Sequence, residues 1–197
     1  MVDSVGFYDS DPEGYSDKTF TADVSDLRAR FLKSIPEGGR ILDLGCGSGR
    51  DSLVFSKMGY AVVPVDGSEG MCRIAHENTG LEVRHLMFSD LDYEDEFDGV
   101  WACSTLLHVP SSEIRSVLLS INRALYSNGI LYMSFKQGDF EGERDGRYYN
   151  DVMPEDIGPM ISGTGFRTMD VWTSMEPARD IEWTNAILVK GGCTDRP

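Results

Sequence analysis

Cysteine is sparse in this chain, and none of it is spaced for structural chemistry. The four residues Cys46, Cys72, Cys103 and Cys193 form no C-x-x-C pair and have no interleaved histidines. That argues against a zinc site or a disulfide framework and for reduced, mostly buried thiols. Cations are scarce as well: 18 Lys and Arg stand against 33 Asp and Glu, a net charge of −15. A grip on nucleic acid normally rests on clustered Lys and Arg, and no segment supplies them. Even the stretch over 136–147 sets Lys136, Arg144 and Arg147 against Asp139, Glu141, Glu143 and Asp145. Nucleic acid is therefore a disfavoured partner, and a small molecule is the expected one. No apolar run approaches the roughly 18 residues of a membrane span. Residues 1–17 hold neither Lys nor Arg nor the apolar stretch of a signal peptide. The expected location is cytoplasmic, with no membrane partner. Metal ligands in a recognisable pattern are absent too, so no metal is expected.

What remains suits one soluble domain. A chain of 197 residues, 41% hydrophobic and 10% aromatic, can bury about 70% of its unfolded surface and needs no staple. Residues 1–20 are rich in Asp, Gly, Ser and Tyr without a sustained period and read as an N-terminal arm. Val24, Leu27, Phe31, Leu32 and Ile35 follow helical spacing, closed by Pro36 and Gly38-Gly39. A buried strand over 40–44, a helix over 51–58, a β-branched strand over 60–65 and a helix over 68–78 come next. Strands over 81–87 and 97–103, a helical stripe from Ile114 to Leu125, a turn at Asn128-Gly129 and a strand over 130–135 continue the alternation. This rhythm implies right-handed crossovers and a parallel sheet. The last third breaks it with a loop over 137–151, a helix near 155–162 and two strands near 166–173 and 181–189. With no helix between them, these two should pair antiparallel at one sheet edge. The expected architecture is α/β: a single Rossmann-like doubly wound domain over 21–190, a mostly parallel seven-stranded sheet with an antiparallel edge, and a tail over 191–197.

The strongest signal is Ile41-Leu42-Asp43-Leu44-Gly45-Cys46-Gly47-Ser48-Gly49-Arg50. A buried strand runs into three alternate glycines, which bare the main chain to a ligand, and a helix begins at once. The dinucleotide fingerprint G-x-G-x-x-G would place a diphosphate here. Arg50 stands where its third glycine belongs, and Asp43 puts a carboxylate where the diphosphate would lie. An ammonium or sulfonium suits that carboxylate better. Asp66, ending the next strand, can accept both hydroxyls of a ribose. As an isolated residue it would read equally well as a helix cap.

The acidic D-x-G-x-G-x-G pattern resembles motif I of the class I S-adenosylmethionine-dependent methyltransferases. Residues 45–53 and 59–62, Leu106-Leu107-His108-Val109-Pro110 and Ser134-Phe135-Lys136 resemble the tellurite-resistance-type branch of small methyltransferases. The resemblance implies S-adenosyl-L-methionine as methyl donor, with S-adenosyl-L-homocysteine as product. It implies contacts from Asp43, Gly45, Cys46, Gly47, Gly49, Asp66 and Gly67, with Asp90 on the adenine amino group and the Leu91 amide on the ring. Met71 would pack on adenine and Cys103 would lie near the donor, although a Met or Cys on an apolar face is as often plain core. The acceptor would be a metabolite or a chalcogen oxyanion.

Ligands of open α/β sheets gather at the carboxyl ends of the strands near the switch in strand order. The stretch from Trp101 to Pro110 should line that crevice, and Lys136 with the loop to Asn150 should close over it. His108 is the candidate base, against a purely bracing role. Tyr148 and Tyr149 would orient an acceptor or simply pack. Lys136 would bind an anionic acceptor or face solvent. The arm's Tyr8 and Tyr15 resemble the lid that folds over the donor in such enzymes, against a disordered tail. Two other functions stay open: a nicotinamide-dependent oxidoreductase, and a binding module that holds the donor without catalysis.

Overall fold

A computed structural model describes residues 4–176 and 179–191. Cys193 and nearly all of the expected tail over 191–197 lie outside the described residues. Two short helices, α1 (Ser4–Ser10) and α2 (Pro12–Thr19), precede α3 (Ser25–Leu32). Then come β1 (Arg40–Leu44), α4 (Arg50–Lys57), β2 (Ala61–Asp66), α5 (Glu69–Thr79), β3 (Arg84–His85) and β4 (Phe97–Ala102). The chain continues with α6 (Ser111–Ala124), β5 (Leu125–Lys136), a hairpin of β6 (Glu141–Arg144) and β7 (Arg147–Asn150), α7 (Ile157–Ile161), β8 (Phe166–Glu176) and β9 (Ile181–Lys190).

Seven strands form one sheet in the order β3-β2-β1-β4-β5-β9-β8. The five strands from β3 to β5 are parallel, and β9 runs antiparallel to both β5 and β8. This is the doubly wound α/β sheet read from the sequence. Its order reverses between β1 and β4, so their carboxyl ends open a crevice between helices on opposite faces. Alternate residues sort between two cores, as a period of two requires. Ile41, Trp101 and Tyr132 meet Phe31 of α3 and Phe55 of α4, while Leu42, Val100 and Leu131 face Leu118 and Ile121 of α6. Trp101 stacks on Tyr132 with ring centres 4.1 Å apart; such pairs contribute about 0.5–1.5 kcal/mol beyond their burial. The helix ends follow their local signals. Ser68 caps α5 through the Met71 amide, and Gly80 closes it at φ 71°.

Three elements differ from expectation. The strand over 81–87 shrinks to β3, which pairs with β2 only at Arg84 and His85. The loop over 137–151 is instead the β6–β7 hairpin, with Asp145 and Gly146 both at positive φ as a two-residue primed turn demands. Asn128 does take positive φ, but within β5. There the pairing jumps from Phe97–Leu125 to Gly99–Ile130, and the turn bulges out of a continuous strand.

Candidate active site

A cavity of about 210 Å³ opens where β1, β2, β4 and β5 end. At one end β1 delivers Gly45, Gly47 and Gly49, at φ 70°, 54° and 80°. The two later glycines serve different purposes. A side chain at Gly47 would meet nothing within 4 Å, so its main chain lies bare to the cavity, whereas one at Gly49 would stand 2.7 Å from Thr79 Cγ2. Gly49 thus lets α4 close on α5 and does not line the cavity.

Asp66 is braced by this loop. Its Oδ2 accepts the Gly47 amide at 2.8 Å and its Oδ1 the Ser68 amide at 2.9 Å. Burial raises its pKa in spite of those bonds, and each oxygen keeps a lone pair for a hydroxyl. Asp43 accepts the Ser52 hydroxyl; burial first, and then the charge of Asp51, raise its pKa. Burial would raise Asp51 too. Bonds from Arg50 at 2.7 Å, Arg28 at 2.6 Å and the Trp101 indole at 2.9 Å instead hold it below the usual carboxylate range. Arg50 also lines the cavity and lies 3.9 Å from Cys103 Sγ.

Of the residues expected around the donor, Asp43, Gly45, Cys46, Gly47, Asp66, Gly67, Met71 and Cys103 all line the cavity. Asp90 and Leu91 do not. The 3-10 turn Phe88–Asp90 leaves the Asp90 carboxylate at the surface, held by Ser89, and Leu91 points into the core. Leu86, Met87 and Phe88 line the wall there together with Met71. Burial pushes the Cys103 thiol up to about 11, so it lacks the thiolate a nucleophile needs. Cys46 is raised as well, again by burial.

The other end collects residues from distant parts of the chain. Trp101 and Ala102, expected in the lining, are fully buried beneath it; the lining starts at Cys103. His108, Lys136 and Tyr149 all reach the cavity. The carbonyl of Tyr148 can only accept, so His108 donates from Nδ1 across 2.7 Å, and its Nε2 accepts the Tyr8 hydroxyl, also at 2.7 Å. Burial lowers the imidazole to about 4, and the charges of Arg147 and Lys136 act in the same direction. Tyr149 is 2% exposed, with its ring 5.2 Å from that of His108. Tyr148 faces the opposite side of β7, as neighbours on a strand must, and donates to Glu141 at 2.6 Å.

The arm packs over both ends, meeting His108 through Tyr8 and the start of α5 beside Asp66 through Asp9. Ser4, Val5, Tyr8 and Tyr15 line the cavity, and Asp9 accepts from the Gly70 amide and the Ser68 hydroxyl at the start of α5. Sequence reasoning overlooked Asp9, Arg50, Arg147 and Trp183. Arg50 was readable from its place beside the glycine loop, and Arg147 from the Asp145-Gly146 turn that brings β7 back. Among the described residues no group of three His, Cys, Asp or Glu is placed to hold a metal ion, and no helix is long and apolar enough to cross a membrane.

A parallel sheet in this order, with an acidic strand tip and bare glycines at its switch point, defines a doubly wound α/β domain with a ligand crevice at that point. Residues 41–129 match the family described as methyltransferase domain. An uncharacterized methyltransferase of Staphylococcus carnosus is 28% identical over 116 residues, covering 57% of this chain and 56% of that protein. The chain spans about half the length of the curated relatives it matches. Among solved structures, Burkholderia thailandensis 1,6-didemethyltoxoflavin-N1-methyltransferase, crystallised with S-adenosylhomocysteine, superposes with a TM-score of 0.77 at 21% identity, covering 95% of this chain and 85% of that one. The [4+2]-cyclase SpnF superposes at 0.74 with 17% identity, covering 95% of both chains, so the fold by itself does not fix the reaction. Over residues 41–129 the chain is thus similar to methyltransferase domains, and its fold is the one shared by S-adenosylmethionine-dependent methyltransferases. These matches support a methyltransferase domain and do not single out the tellurite-resistance-type branch.

Proposed function

We propose that the protein transfers a methyl group from S-adenosylmethionine to a small-molecule acceptor. The observation that carries this reading is the bare main chain at Gly47 with the Asp66 carboxylate fixed beside it at 2.8 Å. That pair fits an amino-acid nucleoside: hydroxyls on Asp66, an ammonium within the field of Asp43, an α-carboxylate near Arg50. When bound, S-adenosylmethionine supplies a methyl group already activated by positive sulfur.

The chain's own task is then alignment and exclusion of water. Thr105, Leu107 and Tyr149 line the acceptor end, and α1 with α2 form a cover over it that would have to open for exchange. His108 is a poor proton acceptor at a pKa of about 4, and its Nε2 is already engaged by Tyr8. We therefore read it as a positioning residue that holds the arm through Tyr8. The acceptor is accordingly one that does not rely on His108 to take its proton.

Calorimetric titration with S-adenosylhomocysteine, and separately with NAD, tests the reading. Binding of the first and not the second is expected; the reverse would make this an oxidoreductase. Binding without methyl transfer to any member of a broad acceptor panel would leave a non-catalytic binding module.

A further inference from the structure

The cavity is bipolar, although the protein carries a net charge of −15. Asp43, Asp51 and Asp66 line one end, where Arg50 is the one cation among the described residues and is paired with Asp51; Lys136, Arg147 and Arg179 line the other. Not all of these cations are free to meet a ligand. Arg179 is exposed and paired with Glu176 at both oxygens, and Arg144, 4.6 Å from the centre of the Tyr149 ring, is paired with Asp151 at 2.9 and 3.0 Å. Lys136 and Arg147 make no ion pair among the described residues.

Both lie against one buried ring. Lys136 Nζ is 4.1 Å from the centre of Tyr149, and the Arg147 guanidinium carbon is 5.2 Å from it. Arg147 Nε is buried without a hydrogen-bond partner, and its Nη1 reaches only the Tyr8 hydroxyl, at 3.5 Å. Burial lowers the Lys136 pKa, and the charges of Arg144 and Arg147 lower it further while Asp151 opposes them. Two like charges held together in a partly desolvated pocket are in repulsion that an incoming anion would relieve. The rest of this end is flat and aromatic, with Tyr8, Tyr15, Tyr149 and Trp183 in the lining.

We infer that the acceptor is a planar organic anion, its carboxylate or equivalent oxyanion held between Lys136 and Arg147 and its ring packed among Tyr8, Tyr149 and Trp183. This rests on the methyl-transfer reading above and names its substrate class. The arrangement also suits His108 in its weakly basic state, since an acceptor that enters ionised asks less of a protein base.

The test titrates the full chain, loaded with S-adenosylhomocysteine, with matched probes: benzoate against benzamide, and indole-3-acetate against indole-3-acetamide. Each carboxylate should bind about tenfold or more tightly than its amide, the scale of one charge-assisted hydrogen bond. The preference should vanish in Lys136→Met and Arg147→Met and return in Lys136→Arg, with S-adenosylhomocysteine affinity retained throughout. Should Arg147→Met disturb the arm and with it S-adenosylhomocysteine binding, the Lys136 variants decide alone. Absence of a carboxylate preference in both pairs, or its survival in Lys136→Met, overturns the inference while leaving the donor site standing. Selenite competing as well as the carboxylates overturns the planar half of it. Failure of wild-type chain to bind S-adenosylhomocysteine instead removes the methyl-transfer reading itself.

Discussion

The two ends of the cavity are made in different ways. At the end proposed for the donor, most bonds run between neighbouring strand tips and the helices that follow them, with Asp51–Trp101 and Asp9–Gly70 as longer-range exceptions. Asp66 holds amides of the glycine loop and of its own following turn, and Asp51 holds Arg50 beside it. At the acceptor end the partners are far apart in sequence. His108 meets Tyr148 across 40 positions and Tyr8 across 100, and Tyr8 meets Arg147 across 139. The first end is a property of the βα unit. The second is a property of what has been added to the sheet, namely an arm before it and a hairpin after β5. A fold can therefore keep its donor site while exchanging its acceptor.

The contrast can be broken most sharply at Asp66. Asp66→Ala should weaken S-adenosylhomocysteine binding about 100-fold, the scale of two charge-assisted bonds, as read by calorimetry. Unchanged affinity would remove the donor assignment.

His108 offers the next largest effect. Its folded pKa of about 4 lies below the ordinary 6.5. Between those values the unfolded chain holds a proton that the folded chain lacks, so this group makes stability rise with pH across that window. His108→Gln should flatten the rise by on the order of 2 kcal/mol, read from urea midpoints at pH 4.5 and 7. Asp43, with its raised pKa, acts oppositely over an overlapping window, so the difference between variant and wild type is the quantity to compare. In turnover, a slowing of His108→Ala by about 100-fold with S-adenosylhomocysteine release unchanged would mark the residue as a base after all; faster release with methyl transfer little slowed supports its positioning role.

The glycines sharpen the comparison further. Gly47→Ala should lower S-adenosylhomocysteine affinity about tenfold by placing a methyl group in the cavity, at a backbone cost of about 1–2 kcal/mol. Gly49→Ala should lower the thermal midpoint by roughly 5 °C and leave the affinity of the folded protein unchanged. Identical behaviour of the two would mean that the loop acts as one rigid piece. The smallest effect belongs to Asp9→Ala, which removes an acceptor from the start of α5 and costs about 1 kcal/mol or less. It should speed S-adenosylhomocysteine release if the arm is a cover.

How much of this was legible depended on how local the cause was. The β1–α4 and β2–α5 units followed from period, glycine and cap. The sheet's antiparallel partner strands followed from the missing helix between β8 and β9. The hairpin carried a readable signal in Asp145-Gly146 that its charged surroundings obscured. Asp90 was placed by resemblance, and the 3-10 turn at Phe88–Asp90 directs its side chain to the surface.

By itself, the sequence determined the parallel core and the run of carboxylates and glycines from Asp43 to Asp66 at its strand tips, because steric rules for glycine and a period of two act between near neighbours. Only the tertiary structure decided that Tyr8 would engage His108, that Tyr148 and Tyr149 would face opposite ways, and that Lys136 and Arg147 would share one ring. Those pairings depend on the order of strands and the path of the arm, which no spacing along the chain encodes.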